Sequence, residues 1–137
     1  MKVLLSIKPE YANKILSGEK KFEFRKVSFT NTQVNTVVIY ATKPIGKVVG
    51  EFEVLKIYSD SPSKIWERTK KFAGIDKKYF DSYYEGKELA IAIAVGAVRE
   101  YEMPKSLSDI GVGVSPPQSF CYIKPTDSEL QHELELG

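Results

Sequence analysis

The chain has 137 residues, 42% of them apolar and 28% charged, with a net charge of +2. That length suits one domain whose core needs no staple, and the balance of apolar and charged residues excludes a disordered chain. The single cysteine, Cys121, excludes an internal disulfide; with no bilayer-length apolar run and no secretory pattern at the N-terminus, a cytoplasmic protein away from the membrane is expected.

Val3 to Ile7 reads as a first strand, and Pro9 then suits the first turn of a helix, where its missing N–H costs nothing. Tyr11, Ala12, Ile15 and Leu16 form the apolar stripe of that helix, and Gly18 its left-handed cap. Lys21 to Arg25 alternates strictly, which predicts a strand with Phe22 and Phe24 on one face and Lys21, Glu23 and Arg25 on the other. Asn35 to Ala41 is a β-branched run, followed past Thr42-Lys43-Pro44 by a long strand from about Ile45 to Ile57. Gly46 and Gly50 inside it suggest a bend or bulge.

Asp60-Ser61-Pro62 starts a helix whose inner face is read as Ile65, Trp66, Thr69, Phe72 and Ala73. Gly74 breaks it, and Asp76 caps a shorter helix bearing Tyr79, Phe80, Tyr83 and Tyr84. Leu89 to Val98 is the next strand, Ser106 to Gly111 one helical turn, and Ser119 to Ile123 a last strand entered through Pro116-Pro117. The order predicts an α+β fold: a small mixed, mostly antiparallel β-barrel with two to three flanking helices. Residues 1–124 form the domain and 125–137 an acidic tail with Asp127, Glu129, Glu133 and Glu135. Removing those four from the 18 acids leaves 14 against 20 basic residues, a body that tolerates a polyanion.

No phosphate-binding glycine loop, nucleophile elbow or metal-ligand spacing occurs. His132 sits in the tail, and Cys121 reads as a core residue. Neither a cofactor nor a nitrogen- or sulfur-rich metal site is expected, and Glu51 and Glu53 would hold at most a weak hard cation. Lys20 to Arg25 is the polar cluster with chemical content, and it has two readings. Either Glu23 and Arg25 lie on a solvated strand face, or they point into a cleft where Arg25 forks onto a phosphate or carboxylate and Glu23 accepts from a base N–H.

Leu5-Ser6-Ile7-Lys8-Pro9, Gly18-Glu19-Lys20-Lys21, Glu23-Phe24-Arg25, Tyr40-Ala41, Gly46 to Phe52 and Pro116 to Phe120 together resemble the signature of the ASCH domain family, within the PUA-like superfamily of small barrels. The resemblance implies a cleft beside the first helix for RNA or nucleotides, with Lys20, Glu23 and Arg25 on the family's motif positions. One branch of the superfamily hydrolyses N4-acetylcytidine with a lysine, a threonine and a glutamate. Lys20 matches that lysine, but Glu23 and Ala73 stand at the other two positions, so this reaction is not expected by the same route.

The leading expectation is a module that binds RNA or a modified nucleotide, with Lys8, Lys20 and Arg25 toward phosphate and Glu23 within the cleft. Tyr40 is either a stacking platform or a core tyrosine, and Gln118 and Ser119 either complete the cleft or serve backbone groups. An alternative is a hydrolase acting on RNA or a nucleotide, in which Glu23 is the base and Lys20 or Arg25 stabilises negative charge. A protein-interaction or regulatory domain is the third. Oligomeric state is not legible in the sequence.

Overall fold

Alternation in short runs and helical spacing in long ones produce the elements of the computed structural model, which describes residues 1–113 and 115–123. Six strands, β1 (Lys2–Ile7), β2 (Phe22–Arg25), β3 (Thr36–Ala41), β4 (Lys47–Asp60), β5 (Ala90–Lys105) and β6 (Phe120–Ile123), make one sheet. Its order is β2-β5-β4-β3-β1-β6. Only β1 and β3 pair in parallel; all other neighbours are antiparallel. A parallel pair needs a crossover connection, and this one contains helix α1 (Pro9–Leu16) and β2. Helices α2 (Pro62–Thr69) and α3 (Lys77–Tyr83) fill the connection from β4 to β5. Among the described residues no helix is long and apolar enough to cross a membrane.

The main core joins Val3, Leu5 and Ile7 of β1 to Ala12 and Ile15 of α1, with Val37, Ile39, Phe52 and Ile93 from the middle of the sheet. A second cluster packs Phe24 of β2 against Ile65, Ala73, Phe80 and Tyr84 under the other two helices. Caps define where those helices start: the Ser61 side chain accepts from the Lys64 amide, and Asp76 Oδ1 accepts from Tyr79 N at 2.7 Å.

The sheet is not closed into a barrel. β2 and β6 are its two ends, and no backbone ladder joins β2 to β1 or β6. β2 has four residues, and its pairing is used on β5 alone. The place where closure would occur is taken instead by side chains, which form the candidate site below.

Three further expectations are corrected. Gly46 lies in the turn ahead of β4 at φ +60°, whereas Gly50 sits at a register shift; there, a Cβ would come within 2.7 Å of the Arg99 carbonyl oxygen. Phe72 is not on an inner face: α2 ends at Thr69 and tightens into a 3₁₀ turn, Lys70–Phe72, whose greater rotation per residue swings the ring outward. β5 also runs beyond Val98 to Lys105, because its charged outer half is held by pairing with β4 and not by burial. His132 and the acidic tail from 125 lie outside the described residues.

Candidate functional site

The loop between α1 and β2 sets the site. Gly18 takes φ +86°, so the chain reverses and Lys20 N donates to Lys14 O at 2.9 Å. This reversal sends the Lys20 side chain inward, where it is 2% exposed. Its ammonium donates to the Ala73 carbonyl and lies 4.6 Å from the Phe24 ring centroid and 5.5 Å from that of Tyr11. Gly74, at φ +68°, permits this: a Cβ there would fall 2.6 Å from Lys20 Cβ and Cγ.

Glu23 is 6% exposed and pairs with Arg25 at 3.2 Å. Arg25 Nη1 also donates to Ser6 O at 3.2 Å, and Nη2 donates to Ser119 O at 2.7 Å. The guanidinium thus ties β2 to β1 and to the residue before β6, across the gap where the sheet fails to close. Three of its five N–H donors are taken by protein acceptors among the described residues. Tyr84 Oη, 2.9 Å from Arg25 O, holds the end of β2 from the other side.

Around these groups is a pocket of about 150 Å³ that opens to solvent. Ser6, Ile7 and Lys8 line it from the end of β1, Tyr11 from α1, and Lys20, Glu23, Phe24 and Arg25 from β2 and its approach. Ile75, Tyr79 and Tyr83 supply the wall at α3. Burial pushes the Lys20 ammonium down to about 8, helped by Lys14 and opposed by Glu23. Burial likewise raises the Glu23 carboxyl above the ordinary carboxylate value, against the pull of Arg25 and Lys20. Tyr11 is pushed up to about 12, mainly by burial and by Tyr79, so its hydroxyl stays protonated and able to donate. The floor therefore offers an acceptor, Glu23, and a donor, Lys20, between aromatic walls.

Residues 5–99 match the family model of the ASCH domain. The chain belongs to the ASCH domain family. Every pocket-lining residue of this ASCH domain falls inside the matched span. The ASCH domain-containing ribonuclease of Zymomonas mobilis is 27% identical over 129 residues, covering 92% of this chain and 86% of the relative. The crystal structure of ASCH from Zymomonas mobilis superposes with a TM-score of 0.83 at 28% identity, over 98% of this chain and 94% of that one. The large ribosomal subunit protein uL22 of Ureaplasma parvum is 35% identical over 123 residues, 89% of this chain. The chain spans only 39% of the length of that relative. The N-terminal domain of Staphylothermus marinus McrB, at TM-score 0.60 and 13% identity, shares the fold alone.

Of the residues singled out in the sequence, the ASCH domain brings Lys8, Lys20, Glu23 and Arg25 together. Lys8 is exposed at the mouth, with Nζ 3.4 Å from the Tyr79 hydroxyl. Tyr40 is elsewhere, buried with Leu4, Val38, Val48 and Leu107, which corrects the stacking-platform reading. Gln118 is exposed and Ser119 half-buried, and neither side chain lines the pocket. Their segment joins the site through backbone: Ser119 O receives Arg25, and Pro117 O receives the Ser6 hydroxyl at 3.0 Å. Ala73 contributes only its carbonyl. Lys14 of α1 donates to Gly74 O beside the site at 3.2 Å, whereas Lys70 pairs with Glu67 and Lys77 with Asp81. Among the described residues no group of three or more His, Cys, Asp or Glu could hold a metal.

Tyr11, Tyr79, Tyr83 and Ile75 are the residues that pattern reading missed as site residues. The tyrosines fit apolar helix stripes, and only their concentration on two helices beside the Lys20–Arg25 motif marks them as different.

Proposed function

We propose that this ASCH domain binds RNA, or a modified nucleotide, by taking one base into the pocket beside α1. The observation that carries this reading is the pairing of a buried acceptor, Glu23, with a buried donor, Lys20, inside an aromatic-walled opening. At about 150 Å³ the pocket is well below the 300 Å³ or more of sites for larger ligands, and its size suits one ring system. A flat base presents apolar faces to Tyr11 and Tyr83 and donor and acceptor groups at its edge. The buried polar pair supplies the specificity, since leaving either group unmatched costs binding. The ribonuclease relative, connected with RNA by name and matched over 86% of its length, supports the ligand class.

The test is a titration with nucleoside 5′-monophosphates and with single-stranded RNA. Glu23→Gln keeps the shape but turns one acceptor oxygen into a donor, so affinity should fall by roughly 10- to 100-fold, the value of a charged hydrogen bond. Unchanged affinity in that variant removes the pocket from the site.

A second reading, RNA cleavage, is favoured by the Zymomonas mobilis ribonuclease, which matches 92% of this chain. Glu23 would take the proton of the attacking 2′-hydroxyl as its oxygen bonds to phosphorus, the P–O5′ bond would break with the departing oxygen protonated from water, and the Lys20 ammonium would stabilise the developing negative charge. The expected profile is a bell. Activity rises as Glu23 loses its proton, above the ordinary carboxyl range, and falls above about 8 as Lys20 loses its own. Rates on end-labelled RNA across that range check it; a rate that keeps climbing past the Lys20 transition assigns Lys20 a different role.

A further inference from the structure

The mouth of the pocket carries a second feature, two lysines held over tyrosine rings, that base recognition does not account for. Tyr79 and Tyr83, one turn apart on α3, hold their rings nearly parallel, 11° apart in plane, with centroids 6.3 Å apart. Lys8 Nζ lies 5.4 Å from the Tyr79 ring, and Lys26 Nζ lies 4.5 Å from the Tyr83 ring. Lys8 follows β1 and lines the pocket, while Lys26 follows β2 and stands on the ring of Tyr83, itself a pocket residue, so the two ammoniums approach the pocket wall from the ends of different strands. Both side chains are exposed, and among the described residues neither is in an ion pair.

Exposed cation–aromatic contacts are weak, about 0.5–1 kcal/mol each, so they position a lysine without neutralising it. A cation kept close to an opening and left without a carboxylate is available to an anion. Arg25, the expected phosphate ligand, is committed to Glu23, Ser6 and Ser119. Two cations without a carboxylate partner among the described residues therefore remain near the opening: Lys8 on the pocket lining and Lys26 on the adjoining Tyr83 ring.

We propose that Lys8 and Lys26 bind the two phosphates that flank the pocketed base, so that the ligand is an internal nucleotide of a single-stranded chain. The inference rests on the base-pocket reading and adds its polymer context. On binding, each ammonium exchanges its tyrosine ring for a phosphate oxygen. The freed face of Tyr79 is then open to a neighbouring base, as in other single-strand sites. A free mononucleotide carries one phosphate and reaches only one of the two lysines.

The experiment measures affinity against salt for a mixed-sequence single-stranded RNA of about 12 nucleotides, within the size such sites cover. Each phosphate contact on a single strand contributes about 0.7 to the slope of log affinity on log salt. Lys8→Gln and Lys26→Gln should each lower the slope by about 0.7, and the double variant by about twice that. With nucleoside 5′-monophosphates, only one of the two single variants should have an effect. Unfolding curves of these exposed-site variants should overlay the wild type. Slopes unchanged in both variants overturn the inference, as does loss of mononucleotide binding in both. Glu23→Gln separates the two ideas: it should weaken RNA binding without altering the slope. If Glu23→Gln weakens binding while the lysine variants leave the slope intact, the pocket stands and the flanking contacts do not. If Glu23→Gln has no effect, the pocket reading falls and this inference with it.

Discussion

On the proposed base-pocket reading, Lys20→Met should weaken RNA binding at least tenfold and, at pH 7, make the protein more stable. The lysine stem fills a slot beneath Gly74, and methionine fills most of it without a charge. The fall of the Lys20 ammonium from its ordinary 10.5 to about 8 corresponds to roughly 3 kcal/mol spent on burying the charged form. Methionine removes that cost but leaves the Ala73 carbonyl without its donor, a loss of about 1–2 kcal/mol. The net gain is about 1–2 kcal/mol. Its pH dependence follows from proton counting. Between about 8 and 10.5 the unfolded chain holds a proton that the native lysine has released, so wild-type stability rises with pH there. The advantage of the variant is therefore fully present below about 8 and shrinks across that window. Urea unfolding at pH 7 and about pH 9.5, with binding measured on the same samples, checks both halves. A variant that is less stable at pH 7 means that the ammonium bond to Ala73 outweighs the burial of the charge. Stability given up at a binding position is what a functional lysine predicts.

Arg25→Ala should be the most damaging single change at the site, costing about 3–5 kcal/mol, as expected for breaking one half of a buried ion pair. It strands the Glu23 carboxylate and removes the donors to Ser6 O and Ser119 O. Glu23, already above the ordinary carboxylate value, would be raised further once its guanidinium partner is gone, so it holds its proton to higher pH than in the wild type. The deficit should thus be smaller at about pH 5 than at pH 8, since protonation neutralises the stranded charge. The amides of β6 should exchange faster in the variant, because the segment before that strand loses its tie to β2. Arg25→Lys should not restore the wild type, for one ammonium cannot span a carboxylate and two carbonyls set around a planar fork. A loss under about 1 kcal/mol, or one independent of pH, would show that the guanidinium is not the clamp.

Local pattern determined most of the elements by itself. The alternation of Phe22 to Arg25, the cap residues Ser61 and Asp76, Pro9 and Gly18 each act within a few residues, so their outcome is written in the neighbouring chain. The same locality put Lys20, Glu23 and Arg25 into one candidate cluster. What the tertiary structure decided is how their polar ends are used. Arg25 is a clamp because Ser6 and Ser119, 19 and 94 residues away, bring carbonyls to its fork. Tyr40 is core because β3 pairs with β1 and β4 on both sides, and no spacing rule distinguishes that from a stacking position. Closure of the barrel depended on whether the free edge of β2 would meet β1 or β6. The Arg25 guanidinium spans that gap to Ser6 O and Ser119 O, and side chains from α1, α3 and β1 wall the pocket beside it. Those contacts join distant parts of the chain, whose meeting depends on how the whole core packs, so only the folded molecule defines the site.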